Sequence, residues 1–107
     1  MTATAYRLVL TTCATLQQGK TLANALVEQK LAACVNLLPE IHSIYPWQGK
    51  ICHDSECKMI IKTHCDKLAA LQQLLLQLHP YDVPEVQVIA VVDGAQAYFN
   101  WMDEVLS

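Results

Sequence analysis

Arginine occurs once in this sequence, at Arg7, and the formal net charge is −3. A nucleic-acid binder needs a basic stripe, so this balance argues against one. Glycine is nearly as scarce. With three glycines and one arginine, there is no glycine-rich loop or positioned guanidinium for a phosphate-handling hydrolase. No Cys-x-x-Cys follows the first candidate strand, where only Cys13 stands, which removes a heavy-metal chaperone of that design. His-x-x-x-His and His-Glu-x-x-His are missing as well, and with them a preformed structural zinc site. Neither KMIIKT nor VQVIAVV carries the aromatics of an RNP1-like run, so an RNA-recognition domain fails too. No apolar run approaches the ~20 residues of a membrane span, and MTATAYRLVLTT does not read as a signal peptide. Five cysteines without such a leader give the expectation of a cytoplasmic chain with free thiols.

What is present is apolar. The 107 residues are 53% hydrophobic and 16% charged, enough for a single domain over 1–107 with one core. So apolar a surface on so small a domain points to burial in an oligomer. The organising stretch is Leu31 to Thr63, read as two long strands folded back at Gln48-Gly49-Lys50. Pro39 cannot donate to a ladder, so it reads as a bend within one strand. At about 3.3 Å per residue, residues 33–47 would span roughly 50 Å if straight. A domain of this length is roughly 35 Å across, so the hairpin bends or projects. A projecting arm bearing Ile41, Tyr45, Trp47 and Ile51 needs a partner to cover it, and a second copy of the chain is the expected one.

Around that hairpin the remaining elements fall in order. Tyr6 to Thr12 reads as a buried strand. Thr15 and Gln18 resemble a capping box ahead of a helix carrying Leu22, Ala23, Leu26, Val27 and Leu31. Glu56 to Thr63 alternates, with Cys57, Met59 and Ile61 on one face, and a bulge is expected at His53-Asp54-Ser55 between Cys52 and Cys57. Cys34 reads as core. Asp66 caps a second helix with the stripe Leu68, Leu71, Leu75 and Leu78, ended at His79 by Pro80. After the connector HPYDVPE, Val86 to Val92 is apolar on both faces and reads as a central strand. Asp93-Gly94 turns the chain into a closing helix marked by Tyr98, Trp101, Met102 and Val105. The class is α+β, a ferredoxin-like βαββαβ plan with a long central hairpin and a C-terminal helix.

The chemistry available to this plan lies in four histidines, five cysteines and a few charged groups. With Gln48-Gly49 at the turn, His42 lies diagonally from His53 on one face, within reach of one metal ion; two solvated histidines are the simpler reading. His79 ends a helix beside Pro80 and Tyr81, where an imidazole can ligate Cu(II) or Zn(II), with Cys13 as the nearby soft partner. A plain helix cap is the bland alternative. Trp47, Lys62, Tyr81 and Glu85 combine aromatic surface, ammonium, phenol and carboxylate near turns and strand ends, as either an ion pair between subunits or a cleft for a small ligand.

LAACVNLLPEIHSIYPWQGKI, then IKT, then LHPYDVPEV together resemble the CutA divalent-cation-tolerance family, over nearly the whole chain. The resemblance implies a ferredoxin-like subunit of a compact homotrimer, similar in architecture to the PII signalling proteins, with the long strands forming inter-subunit sheets. It implies no enzyme activity. It also implies copper or other divalent-cation binding through a first-strand Cys and histidines before Pro-Tyr. Here Thr11 stands at the family's Cys position with Cys13 two residues on, and Leu78 precedes His79. Trp47, Lys62, Tyr81 and Glu85 match the family's inter-subunit cleft. The opposing readings are a small-metabolite sensor using that cleft and a trimeric scaffold for another protein. Assembly is directly measurable: sedimentation is expected to give one species near three times 11.9 kDa, and a stable monomer at micromolar concentration contradicts it.

Overall fold

The computed structural model describes residues 2–107. Its elements are β1 (Tyr6–Cys13), α1 (Leu16–Glu28), β2 (Cys34–Trp47), β3 (Lys50–His64), a 3-10 turn (Cys65–Lys67), α2 (Leu68–Leu78), β4 (Gln87–Ala90) and α3 (Gln96–Leu106). The strands form one antiparallel sheet in the order β2-β3-β1-β4, which is the ferredoxin-like plan expected from the sequence.

Three local features set the hairpin. Trp47 pairs with Lys50, and the two residues between them, Gln48 and Gly49, have φ of 51° and 77°. Positive φ at both positions is the twist-matched two-residue turn of a long hairpin. At the other end the ladder steps from Leu38↔Lys58 to Ile41↔Glu56, so Pro39 and Glu40 oppose Cys57 alone. This is a β-bulge in which the proline needs no ladder partner. The bulge has a directional effect. Cys34 pairs with Lys62, so the even residues of β2 begin on the Lys62–Lys58 face; beyond the bulge Ser43 and Tyr45 pair with Asp54 and Cys52. Tyr45 and Trp47 are thereby turned onto the face of Glu56 and Lys58. The bulge expected at His53–Ser55 is absent; those residues pair regularly with Ile44, Ser43 and His42.

The core lies between the sheet and the helix pair α1/α2. Val9, Cys13, Leu22, Leu26, Cys57, Met59, Ile61, Leu71 and Leu75 are buried there. Thr15 caps α1 through Gln18 N–H at 3.1 Å, while the Gln18 side chain accepts from Ala14 N–H, one residue short of the expected reciprocal bond. Helix α1 ends with Lys30 N–H donating to Val27 O and Leu31 N–H to Leu26 O. This is a Schellman arrangement, and it holds Lys30 at φ 57°.

Four expectations are corrected. The cap of the turn before α2 is His64, whose Nδ1 accepts from Asp66 N–H at 3.0 Å, because His64 is the last extended residue and Asp66 already lies inside the turn. Strand β4 is an edge strand pairing only with β1, and Val88 and Ile89 are exposed. Its apolar faces reflect surface that nothing in the single chain covers. Helix α3 buries Phe99, Met102 and Leu106 in a second cluster with Tyr6 and Val91, leaving Tyr98 and Trp101 exposed and stacked on one another. Cys34 is half-buried on the open sheet face rather than core. The molecule measures 45 × 32 × 22 Å, its length being that of the projecting arm, where Ile44 and Ile51 are 65% and 67% exposed. Because an L-residue at αL costs about 1–2 kcal/mol and glycine gives part of that back as unfolded-chain entropy, Lys30→Gly is expected to stabilise the fold by about 0.5–1 kcal/mol. Urea midpoints check this; a lowered midpoint refutes it.

Candidate functional site

The connector after α2 runs back beneath the hairpin arm, and between them opens a cleft of about 1010 Å³. One wall comes from Tyr45, Trp47, Asp54 and Glu56, the other from Tyr81, Asp82 and Glu85. Trp47 and Tyr45 reach it through the face change at the Pro39 bulge. Among the described residues its lining has four carboxylates and no cationic side chain. Just outside, Lys58 Nζ lies 2.7 Å from Glu85 Oε2. Tyr45 donates its hydroxyl to Asp54, and this bond, ahead of burial, holds the phenol up at about 12. Burial first, and then the Glu56 carboxylate, raise Tyr81 as well. Glu56 Oε2 is shut off from solvent and has no hydrogen-bond partner among the described residues. A buried carboxylate oxygen in that condition is costly unless a cation or donor reaches it.

Of the four residues singled out in the sequence, Trp47, Tyr81 and Glu85 line this cleft and Lys62 does not. Lys62 pairs with Leu8 and Cys34 across the ladders, and its Nζ stands 5.8 Å over the Tyr98 ring. The ammonium that meets Glu85 belongs to Lys58, one step along the same strand face. Register would have found it, since Lys58 lies opposite Thr12, at the strand end where the connector passes. Asp54 and Glu56 were missed because the alternation Cys52-Asp54-Glu56-Lys58 marks a face without saying what covers it.

His79 and Cys13 are close in the fold but committed elsewhere. Pro80 forces His79 out of helical geometry, to ψ 131°. The imidazole is buried: Nε2–H donates to Thr12 O at 2.6 Å, and Nδ1 accepts from Tyr81 N–H at 3.1 Å. No lone pair remains for a cation. The ring instead ties the end of β1 to the cleft connector. Cys13 is fully buried opposite Cys57, and burial, ahead of the Cys57 thiol, pushes it up to about 12. Both sulfurs pack against Gly19, where a Cβ would lie 3.1 Å from Cys57 Sγ and 3.4 Å from Cys13 Sγ. A protonated, enclosed thiol is a poor ligand. The expected His79–Cys13 pair is thus close in the fold, with the ring nitrogens hydrogen-bonded to the backbone and the thiol packed against Gly19. His42 and His53 are exposed on the arm, with His53 opposite Ile44 and His42 opposite Ser55, the diagonal expected.

A ferredoxin-like α+β domain with an over-long, bulged hairpin above an acidic cleft is a recognisable class of protein. A family model described as CutA1 divalent ion tolerance protein matches residues 7–105. The chain is 40% identical over 96 residues to the divalent-cation tolerance protein CutA of Thermus thermophilus, covering 90% of this chain and 93% of that one. It is 46% identical over 94 residues to protein CutA of Mus musculus, covering 88% of this chain and 53% of that one. It thus spans about half the length of the mammalian relatives it matches. Its structure aligns with that of CutA from Synechococcus elongatus with a TM-score of 0.94 at 43% identity, covering 99% of this chain and 95% of that one. The chain belongs to the CutA1 divalent ion tolerance family. The Thermus thermophilus relative and the family model are named for divalent cation tolerance, and no helix among the described residues is long and apolar enough to cross a membrane.

The raised thiol makes stability depend on pH. Below the ordinary value of 9.0 Cys13 is protonated in both states. As pH rises from there toward about 12 the unfolded chain ionises first and binds fewer protons, so stability falls. Urea midpoints between pH 8 and 10 are expected to drop more steeply for the wild type than for Cys13→Ser; equal slopes contradict the assignment.

Proposed function

We propose that this chain works as a homotrimeric, PII-like divalent-cation tolerance protein, not an enzyme, and that it takes up Cu(II) or another divalent cation at the acidic cleft rather than at His79 and Cys13. The observation that carries this reading is the Glu56 oxygen, enclosed and unpartnered among the described residues, in a cleft where the neighbouring Lys58 ammonium is already spent on Glu85. Oxygen donors of this kind suit Mg(II), Ca(II) and Mn(II) best, and borderline cations less selectively. Assembly is supported by the arm, where Trp47 is 59% exposed along with Ile44 and Ile51; apolar area of this kind marks an interface. The five free cysteines suit a reducing compartment, and we place the protein in the cytoplasm.

A second reading is favoured by the aromatic surface. Trp47 and Tyr81 flank the carboxylates, a composition that suits a cationic small molecule held by carboxylates and ring faces. An anionic metabolite is disfavoured, because Lys62 does not reach the cleft.

Calorimetric titration with Mn(II) separates these readings. Glu56→Gln is expected to weaken Mn(II) binding at least tenfold, with Cys13→Ser binding as the wild type does. If Glu56→Gln binds like the wild type while His79→Ala loses the ion, the site lies at the end of β1 and the cleft reading fails. Absence of Mn(II) binding in the wild type leaves the cationic small molecule as the reading to pursue.

A further inference from the structure

Away from the cleft, the end of β3 brings three different donors together. His64, Cys65 and Asp66 are consecutive, and the turn they form directs all three side chains to one point, with ligand atoms within 4.8 Å of one another. His64 Nδ1 lies 3.7 Å from Cys65 Sγ and 3.6 Å from Asp66 Oδ2. Cys65 Sγ lies 3.8 Å from Asp66 Oδ1. A tetrahedral Zn(II) has bonds of about 2.3 Å to sulfur and about 2.0–2.1 Å to nitrogen or oxygen, which puts its ligand atoms about 3.4–3.6 Å apart. The His64–Cys65 separation and each residue's nearer contact to the Asp66 carboxylate need to close by only a few tenths of an ångström. Those two contacts are to different oxygens; with one of them as the ligand the set lies within 4.8 Å, and a small rotation of the carboxylate completes it.

The surroundings favour a held, open site. Tyr6 meets the His64 ring edge-on at 5.4 Å, and Asp103 of α3 accepts from the Tyr6 hydroxyl at 2.8 Å. This chain of contacts from outside the ligand set fixes the imidazole, as second-layer partners do at metal centres. A hollow of about 310 Å³, with Asp103 on its far wall, opens onto His64 and Asp66, so an ion has an entry path. Cys65 is half-buried, unlike Cys13 and Cys57. Two effects limit affinity. The His64 lone pair now accepts from Asp66 N–H, so binding exchanges that bond, and the positive end of the following helix with Lys67 beside it repels a cation.

We propose that His64, Cys65 and Asp66 form a second cation site, separate from the cleft, for a borderline-soft divalent ion of the Zn(II) class. Three protein ligands leave the fourth tetrahedral position to water or an outside donor. The thiol loses its proton on binding and becomes the thiolate ligand. A nitrogen, sulfur and oxygen set selects against Mg(II) and Ca(II), so the two sites sort cations by hardness.

Cobalt(II) titration of the reduced full chain tests this, since Co(II) takes Zn(II) geometry and a thiolate ligand gives a near-ultraviolet charge-transfer band. One equivalent per chain is expected to bring up that band together with intense four-coordinate visible bands, and Zn(II) to bleach them. Cys65→Ser is expected to lose the charge-transfer band, while Cys13→Ser, Cys57→Ser and the cleft variant Glu56→Gln keep it. His64→Asn, which keeps a side-chain oxygen able to cap the turn, is expected to weaken binding at least tenfold. The proposal is overturned if no band forms in the wild type, if it survives Cys65→Ser, or if His64→Asn binds as tightly as the wild type. Because Glu56→Gln reports on the cleft alone, the two sites fail or stand separately.

Discussion

Twelve residue pairs join β2 to β3 across a turn that keeps Gln48 and Gly49 at positive φ, and the other placements in the molecule follow from that register. Slipping the ladder by one residue would turn Cys57, Met59 and Ile61 out of the core and bring Glu56, Lys58 and Lys62 in. The turn pins the far end. Near the core, the two-against-one step at Pro39 and Glu40 turns the outer half of β2 over. Tyr45 and Trp47 therefore share a face with Glu56 and Lys58 instead of lying on the opposite side from them. One bulge thus supplies both the projecting arm and one wall of the cleft.

The cleft is electrostatically lopsided. Its carboxylates come from two elements that would repel if nothing joined them, and among the described residues the Lys58–Glu85 contact is the ion pair spanning the gap. His79 performs the corresponding task in the backbone. By donating to Thr12 O and accepting from Tyr81 N–H it fixes how far the connector stands from β1. A residue type associated with metals is here a buried two-way hydrogen-bond bridge, and the Glu56 carboxylate carries the unsatisfied bonding capacity.

Much of this was legible in the sequence, because it depends on local chemistry. The alternation in 56–63, the turn at Gln48-Gly49, the interruption at Pro39 and the stop at Pro80 each act within a few residues, and the fold followed from their order. The quoted family strings made the membership legible too. What was not legible depends on which surfaces meet. Helix α3 carries apolar residues on two faces, and only the position of Tyr6, stacked on Phe99 at 4.1 Å, decides that Phe99 is buried and Trp101 is not. Strand β4 looks central because both faces are apolar, yet its place beside β1 leaves it at the edge. Lys58 and Lys62 are equivalent by alternation, and only the cross-strand partners tell them apart. For His79, sequence gives the ring but not the two backbone groups that occupy it.

Strand β1 has a further consequence, for the order in which the chain becomes whole. Its inner neighbour β3 is complete by residue 64, but its outer neighbour is β4, and the ladder is continued by Thr4 Oγ1 donating to Val91 O, 87 positions away. Closing so long a loop is slow relative to hairpin formation. A chain leaving the ribosome thus holds β1, β2 and β3 as a sheet in which β1 is bare on one side until residues 87–90 arrive. During that interval the row of free N–H and C=O groups on β1 is open to any extended segment, its own β4 or another chain's. The brevity of β4, four residues, lets it dock quickly once made, and that shortens the time in which a nascent chain can pair with the wrong neighbour.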